Sequence, residues 1–261
     1  MVARAAARRH PFRTSGIVAR VFDHVTLVVA DREASERFYR TVLPTLGIEP
    51  TSDGDALVEW DDFSIAPAAG GRPVTRGLHL GFVAPTRGHV DAFWRAGTGA
   101  GYHDDGAPGP RPQYGDDYHG GFLLDPDGNS AEAVHHGSLR TGGWIDHLWI
   151  RVADVAAAKR FYATIAPHAG LREGHDAPAH VQFKGSSGSF SLVSGTPTEH
   201  VHLAFVAPDD ETVAAFHRAG TAAGHRDNGA PGERPEYHAG YYAAYLLDPD
   251  GNNVELVNHH R

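Results

Sequence analysis

The chain has 261 residues, a formal net charge of −9 and no cysteine. The negative charge argues against a nucleic-acid partner, and the lack of cysteine excludes disulfides, thiolate nucleophiles and cysteine-ligated metal sites. No apolar run approaches the roughly 20 residues that a membrane-spanning helix needs. With 41% hydrophobic and 21% charged residues, the composition predicts a soluble, globular protein. The absence of cysteine is compatible with the cytoplasm, where we expect the protein to be located.

Residues 1–20 differ from the rest of the chain because they contain several arginines and no acidic residue. They lack the apolar segment that a secretory signal carries. We therefore expect this segment to be a disordered basic tail.

The first predicted elements form a β-α-β-β-β unit. Asp23 to Ala30 alternates apolar and polar residues, which predicts a strand. Asp31 is a suitable N-cap for the helix that follows, and Gly47 marks the end of this helical region. Two short strands, at residues 56–60 and 63–66, complete the unit.

A second unit of the same order follows. Residues 78–83 predict a strand, and Pro85 opens a helix. Three strand-like pieces come next, around residues 102–103, 120–124 and 131–135. The last two are joined by a turn with the sequence Asp-Pro-Asp-Gly, in which proline and glycine suit the turn conformation.

The whole pattern then repeats 123 residues later. His24, His79 and Glu132 return as His147, His202 and Glu255. The chain therefore contains four β-α-β-β-β units in two copies. We assign the N-terminal copy to residues 21–136, a glycine-rich linker to 137–144 and the C-terminal copy to 145–261.

The repeated histidines and glutamate lie on three predicted strands of each copy, with apolar neighbours on the opposite strand face. Two imidazoles and a carboxylate can hold a divalent metal ion and leave coordination positions open. This ligand set suits Fe(II), Mn(II), Zn(II) or Ni(II). The sequence leaves open whether units pair within a copy or between copies.

Taken together, the four units, the strand-opening histidines, the Phe38-Tyr39 helix and the Asp-Pro-Asp-Gly-Asn turn before Glu132 resemble the vicinal oxygen chelate superfamily. That group includes glyoxalase I, extradiol dioxygenases, fosfomycin-resistance enzymes and bleomycin-binding proteins. The resemblance implies an α+β fold of two tandem domains. In each domain, a pair of units forms a curved mixed-sheet cup around a metal ion.

Carried over to this sequence, the resemblance implies two ligand trios, His24 with His79 and Glu132, and His147 with His202 and Glu255. Swapping of units between copies would mix these trios. The chain would be a self-contained pseudo-dimer or would form a homodimer.

One departure from glyoxalase I concerns a fourth ligand. Glyoxalase I usually carries an additional glutamate on the last strand of the first unit, and residues 63–66 and 190–193 contain no acid. This departure favours the three-ligand pattern of the extradiol dioxygenases.

The late segment of the C-terminal copy also resembles extradiol enzymes, because His238 and Tyr245 precede its Asp-Pro-x-Gly turn and glutamate at matching spacings. The resemblance implies that His238 moves protons and Tyr245 hydrogen-bonds the substrate. Gly115 and Phe122 stand at these positions in the N-terminal copy. We therefore expect an Fe(II) extradiol-type dioxygenase whose C-terminal cup is the active one.

The expected substrate is a small molecule with aromatic or anionic character. Tyr237, Tyr241 and Tyr242 would form an aromatic wall near His238. Trp149 and Arg151 share the strand face of His147, and the arginine could meet an anionic group. Two alternatives remain, a glyoxalase-like lyase or isomerase and a binding protein that sequesters an antibiotic without turnover.

Overall fold

The computed structural model describes residues 20–137 and 142–260. The predicted basic tail lies outside this range except for Arg20, as does the middle of the predicted linker. Four β-α-β-β-β units follow one another, as predicted, with sixteen strands and four α-helices in the described ranges. Of these helices, none is long and apolar enough to cross a membrane.

The N-terminal copy supplies the first two units. The elements of the first unit are β1 (Phe22–Val29), α1 (Arg32–Val42), β2 (Ser52–Asp53), β3 (Val58–Trp60) and β4 (Phe63–Pro67). Those of the second unit are β5 (His79–Val83), α2 (Arg87–Gly99), β6 (His103–Pro110), β7 (His119–Leu124) and β8 (Ser130–His135).

The C-terminal copy supplies the other two units. The elements of the third unit are β9 (Ile145–Val152), α3 (Val155–Ile165), β10 (Arg172–Ala177), β11 (His180–Lys184) and β12 (Ser189–Ser194). Those of the fourth unit are β13 (His202–Val206), α4 (Asp210–Ala222), β14 (Arg226–Glu233), β15 (Tyr242–Leu247) and β16 (Asn253–Asn258).

Aspartate side chains begin three of the four helices. Asp31, as predicted, accepts a hydrogen bond from the Ala34 N–H at 3.0 Å. Asp154 accepts a hydrogen bond from the Ala157 N–H at the start of α3, and Asp209 accepts one from the Thr212 N–H at the start of α4. Each carboxylate satisfies a backbone donor that has no partner within the helix.

The strands form two eight-stranded mixed sheets, and each sheet combines units from both copies. The first sheet has the order β14-β15-β16-β13-β1-β4-β3-β2, and the second has the order β10-β11-β12-β9-β5-β8-β7-β6. At the centre of each sheet, strands of different copies pair antiparallel, β1 with β13 and β5 with β9. The first unit therefore pairs with the fourth and the second with the third, which answers the question that the sequence left open.

The larger of two hydrophobic clusters joins the two sheets. Phe63 of the first sheet meets Phe82 of the second edge to face, with ring centroids 5.2 Å apart. Phe190 and Phe205 make the equivalent contact between the other two units at 5.9 Å. The opposite face of the first sheet carries a smaller buried cluster of Ala204, Tyr241, Ala243 and Val257.

A buried tyrosine hydrogen bond also connects the sheets. Tyr39 of α1 donates to the Asp125 carboxylate at 3.0 Å, and Tyr162 of α3 donates to Asp248 at 3.2 Å. Both aspartates sit in the Asp-Pro-Asp-Gly turns and also accept bonds from their own turn backbone. These repeated motifs therefore join the two units of one copy, which lie in different sheets.

A third link involves Asp62, in the turn between β3 and β4. Its buried carboxylate accepts hydrogen bonds from the Trp144 N–H at 3.0 Å and the Ile145 N–H at 3.2 Å. Burial raises the pKa of Asp62 to about 7, although the hydrogen bonds from these backbone groups oppose the shift. Asp62 thus fixes the start of β9 against the first sheet.

We expect the substitutions Tyr39→Phe and Tyr162→Phe each to lower the free energy of unfolding by about 2 kcal/mol. Each removes a buried hydrogen bond to a carboxylate and leaves that acceptor with one partner fewer. Urea unfolding measures the effect, and an unchanged midpoint and slope for both variants would contradict the proposed link.

We also expect Asp62→Asn to reduce the pH dependence of stability. An unfolded aspartate loses its proton near pH 3.8, whereas folded Asp62 keeps its proton up to about pH 7. The folded state therefore binds more protons in this window, and the free energy of unfolding falls as pH rises through it, by at most about 4 kcal/mol. Urea unfolding between pH 4 and 7 should show a flatter profile for Asp62→Asn. The adjacent substitution Asp61→Asn is the control, and equal profiles for Asp62→Asn and the wild type would refute the assignment.

Candidate metal sites

The first candidate site, called site I, lies on the three adjacent strands β1, β13 and β16. His24 and Glu255 both pair in register with Ala204 of β13, and His202 pairs with Thr26. Residues in register across a sheet point to the same face, as do residues two apart on one strand. The ligand trio of site I is therefore His24, His202 and Glu255.

The second candidate site, site II, is built in the same way on β9, β5 and β8. Its trio is His147, His79 and Glu132, and the residue between His147 and Glu132 is Gly81. A side chain at Gly81 would overlap the His147 ring. The absence of a Cβ lets this histidine lie close against the sheet.

The six predicted ligands are thus brought together in two groups, but neither group comes from one copy. The within-copy trios are wrong, because the first-strand histidine of each copy joins the other copy's histidine and glutamate. The physical reason is the antiparallel pairing of β1 with β13 and of β5 with β9.

The spacing of the ligand atoms fits a metal ion. In site II, the Nε2 atoms of His79 and His147 are 3.2 Å apart, and they lie 3.0 and 3.2 Å from Glu132 Oε2. In site I, the Nε2 atoms of His202 and His24 are 3.0 Å apart, and they lie 2.9 and 3.8 Å, respectively, from Glu255 Oε2. Ligands bound at 2.0–2.2 Å on one face of an octahedron are about 3 Å apart. Both trios therefore fit one divalent ion each.

Carboxylates orient the first-strand histidines. Asp23 accepts a hydrogen bond from His24 Nδ1 at 2.9 Å, and Asp146 accepts one from His147 Nδ1 at 3.0 Å. With the proton of the neutral imidazole held on Nδ1, loss of the second proton from Nε2 would leave the Nε2 lone pair facing the other two ligands. Carboxylate partners of this kind are typical of metal-binding histidines.

The electrostatics differ between the two histidines of each site. Burial opposes protonation of His147, but hydrogen bonds to Asp146 and Glu132 raise its pKa to about 10. Burial lowers the pKa of His79 despite the nearby glutamate. In site I, the pKa of His24 is likewise raised, by Asp23 and Glu255 against burial, and burial lowers that of His202.

The glutamates are buried and ionised. Only 1% of each residue is exposed. Burial alone would raise the pKa of Glu132, but hydrogen bonds from His147 and His79 lower it to about 2. The pKa of Glu255 is lowered in the same way, mainly by His202. Each site therefore offers a carboxylate and a neutral imidazole, and the first-strand histidine must release a proton when a metal binds.

A tyrosine fixes each glutamate from the other side. Tyr241 donates to Glu255 Oε1 at 2.6 Å, and Tyr118 donates to Glu132 Oε1 at 2.8 Å. The second oxygen of each carboxylate remains directed at the histidines.

His238 and Tyr245, the predicted chemical residues, both belong to site I. The Tyr245 ring centroid is 6.4 Å from that of His202, and Tyr245 pairs in register with Glu255. His238 lies farther out. Its Nε2 is 2.9 Å from His259 Nδ1, and His259 Nε2 donates to Asp23 at 2.8 Å.

The predicted substrate-binding residues are distributed over three places. Tyr241 and Tyr237 pack beside site I with their rings tilted by 53° and centroids 4.9 Å apart. Tyr242 packs instead against the hydrophobic core, because it points to the opposite face of β15 from Tyr241 and Tyr245. Trp149 and Arg151 lie on β9 in the second sheet. The grouping of these two residues with His238 is therefore wrong.

Sequence reasoning missed several supporting residues. Asp23 and Asp146 precede the first-strand histidines, and His259 and His136 hydrogen-bond these aspartates. Each pair recurs at the same interval of 123 residues. The repeat could therefore have identified them, because a carboxylate is a common hydrogen-bond partner of a metal-binding histidine.

Metal stoichiometry tests the mixed trios. We expect the wild type to bind two divalent ions per chain, and Glu255→Gln and Glu132→Gln to bind one each. The double variant His24→Ala/Glu255→Gln should still bind one ion, because both changes fall in site I. The matched double variant His24→Ala/Glu132→Gln should bind none. Elemental analysis after dialysis measures these contents, and the reverse result for the two double variants would restore the within-copy trios.

Comparison with known proteins agrees with this architecture. Glyoxalase I from Zea mays is similar to 92% of this chain over 92% of its own length, with 17% identity and a TM-score of 0.64. A putative dioxygenase from Bacillus subtilis subsp. subtilis str. 168 is similar to 92% of the chain over 85% of its own, with 15% identity and a TM-score of 0.62. At these identities the likeness concerns the fold alone.

No curated protein matches this chain significantly. A family model, however, matches the chain twice, at residues 21–133 and 144–256. Since these two matches cover most of the sequence and coincide with the two copies, the chain belongs to the Glyoxalase/Bleomycin resistance protein/Dioxygenase superfamily.

Proposed function

We propose that the protein is a metal-dependent enzyme that acts on a small substrate bearing two adjacent oxygen atoms, and that site I is the working site. The observation that supports this choice is the phenol of Tyr245, which pairs in register with Glu255 on the neighbouring strand. Site II has Phe122 at the same place, with its ring centroid 5.9 Å from that of His79. A group that can donate a hydrogen bond to a bound substrate therefore accompanies site I.

Fe(II) is the metal that we favour. Two imidazoles and one carboxylate on one face are typical of non-haem Fe(II) oxygenases, although Mn(II), Zn(II) and Ni(II) also suit the set. Such an ion would supply Lewis acidity and open positions for a chelating substrate and oxygen. The best-supported reaction is a ring-cleaving dioxygenation of the extradiol type.

The surrounding residues have separate roles in this proposal. Tyr245 would orient a substrate oxygen by donating its phenolic proton in a hydrogen bond; burial near Glu255 raises the pKa of this phenol, so it keeps the proton. Tyr241 holds Glu255 in place. His238 and His259 extend from Asp23 toward the surface and would position His24 through that carboxylate.

A glyoxalase-like lyase or isomerase is the second candidate, and one observation favours it. Glu59 of β3 pairs in register with Ser64 of β4, and its charge contributes to the raised pKa of His24. A carboxylate there could serve as a base for proton transfer next to a chelated substrate. The corresponding residue near site II is Gln182, which pairs with Ser191 and cannot serve as a base.

The decisive measurement is oxygen uptake by protein reconstituted anaerobically with Fe(II) and supplied with a panel of catechols. We expect turnover in the wild type, loss of turnover in Glu255→Gln, and at least half of the activity in the matched variant Glu132→Gln. Tyr245→Phe should lower kcat by about 100-fold while keeping the metal, because it removes a group that acts on the substrate.

Two other outcomes would redirect the assignment. Isomerisation of a hemithioacetal without oxygen uptake would favour the lyase. Tight binding of an aromatic antibiotic without metal or turnover would instead indicate a sequestering protein and would refute both enzyme proposals.

A further inference from the structure

The two sites differ most in the residue beside the second histidine. In site I, His202 pairs in register with Thr26. In site II, the equivalent His79 pairs with Trp149. These positions are related by the repeat, so an otherwise similar arrangement of ligands carries a small hydroxyl in one site and an indole in the other.

Thr26 lies on the floor of site I. It is 9% exposed, and its hydroxyl is 2.8 Å from that of Ser64 on the next strand. A hydrogen-bonded pair of short side chains cannot extend toward the entrance of the site. The space above the His202 side of the site is therefore not taken by the residue at this position.

Trp149 makes site II different, because its indole contacts rings at three places. Its centroid is 5.7 Å from His79, 5.5 Å from Tyr114 and 5.7 Å from His180. His79 is a ligand on the floor, whereas Tyr114 is 49% exposed at the rim. The indole thus extends from the ligand to the rim.

The tyrosines at the rims of the two sites also differ in exposure and packing. Tyr237, the counterpart of Tyr114, packs at a tilt against Tyr241 and is 63% exposed. Tyr114 is less exposed and packs on both Tyr118 and Trp149. The aromatic side chains of site II therefore pack against one another, whereas Tyr237 remains open to solvent.

The backbone of site II matches this tighter arrangement. Gly81 and Gly120 lie beneath the His147 ring and the Glu132 carboxylate, where a Cβ would overlap these groups. The corresponding residues near site I are Ala204 and Ala243. The histidines of site II are also less exposed. The side-chain exposure is 8% for His147 against 23% for His24, and 13% for His79 against 19% for His202.

We propose that the residue at this position determines which site admits a chelating substrate. Thr26 leaves site I open, whereas Trp149 blocks the open side of site II, so that site II holds a metal ion without admitting an aromatic diol. This inference rests on the metal assignment of the proposed function and adds a specificity-determining residue to it. Trp149 thereby has an excluding role instead of the substrate contact that its sequence position suggested.

The test is a titration with 4-nitrocatechol of protein loaded with Zn(II), which supports no redox turnover. Calorimetry gives the number of probe molecules bound per chain, and elemental analysis of the same sample gives the number of metal ions. We expect one probe molecule and two ions in the wild type. Trp149→Thr should bind two probe molecules, and Thr26→Trp should bind none.

Two controls locate the bound probe. Trp149→Phe keeps an aromatic ring and should still bind one molecule. Glu132→Gln, which removes the ion of site II, should also leave one molecule bound, whereas Glu255→Gln should leave none. These variants keep the test informative even where Thr26→Trp does not fold.

Several results would overturn the inference. The first is binding of two probe molecules by the wild type, and the second is binding of only one probe molecule by Trp149→Thr that still holds two ions. The third is loss of the site II ion in Trp149→Thr, because that loss would show that the indole supports the metal ligands. Two ions with no bound probe in the wild type would also overturn it and leave the metal assignment intact. A wild type that binds no ion would overturn both proposals.

Discussion

The antiparallel pairing of strands from different copies is the constraint on which the rest of the structure depends. β1 pairs with β13, and β5 pairs with β9. Each pairing places a first-strand histidine of one copy beside the histidine and glutamate of the other. Because strand register fixes the face on which every side chain lies, this single pairing determines both ligand trios.

The interactions that hold the sheets together are separate from those that form the sites. Aromatic contacts such as Phe63 with Phe82, and the buried bond from Tyr39 to Asp125, lie on the core side. The ligand trios lie on the opposite faces. Duplication could therefore preserve the scaffold in both copies while individual positions around the sites diverged, as Thr26 and Trp149 have done.

Much of this arrangement could be predicted from sequence, because it depends on local patterns. Alternation in β1 put His24 on a different face from Val25, and Asp31 marked the start of α1. Tyr242 was misplaced, although the alternation rule separates it from Tyr241. The identities of the six ligands followed from their repetition in register.

The grouping of the ligands could not be predicted, because β1 and β9 carry the same Asp-His pair at equivalent positions. Either strand suits either partner locally, and the choice depends on contacts between residues far apart in sequence, such as Asp62 with Trp144. The contacts of Trp149 with residues of the other copy could not be predicted for the same reason. Its neighbours become known only when the pairing is known.

The exchange of strands has a consequence for why two copies occupy one chain. If the C-terminal copy paired with another molecule of itself, its Tyr245 would share a site with Trp149. If the N-terminal copy did so, Thr26 would share a site with Phe122. A phenol and an unobstructed floor meet only when unlike copies pair, and a covalent connection makes that pairing intramolecular at every protein concentration. The covalent connection thus keeps the residues of site I together within one chain.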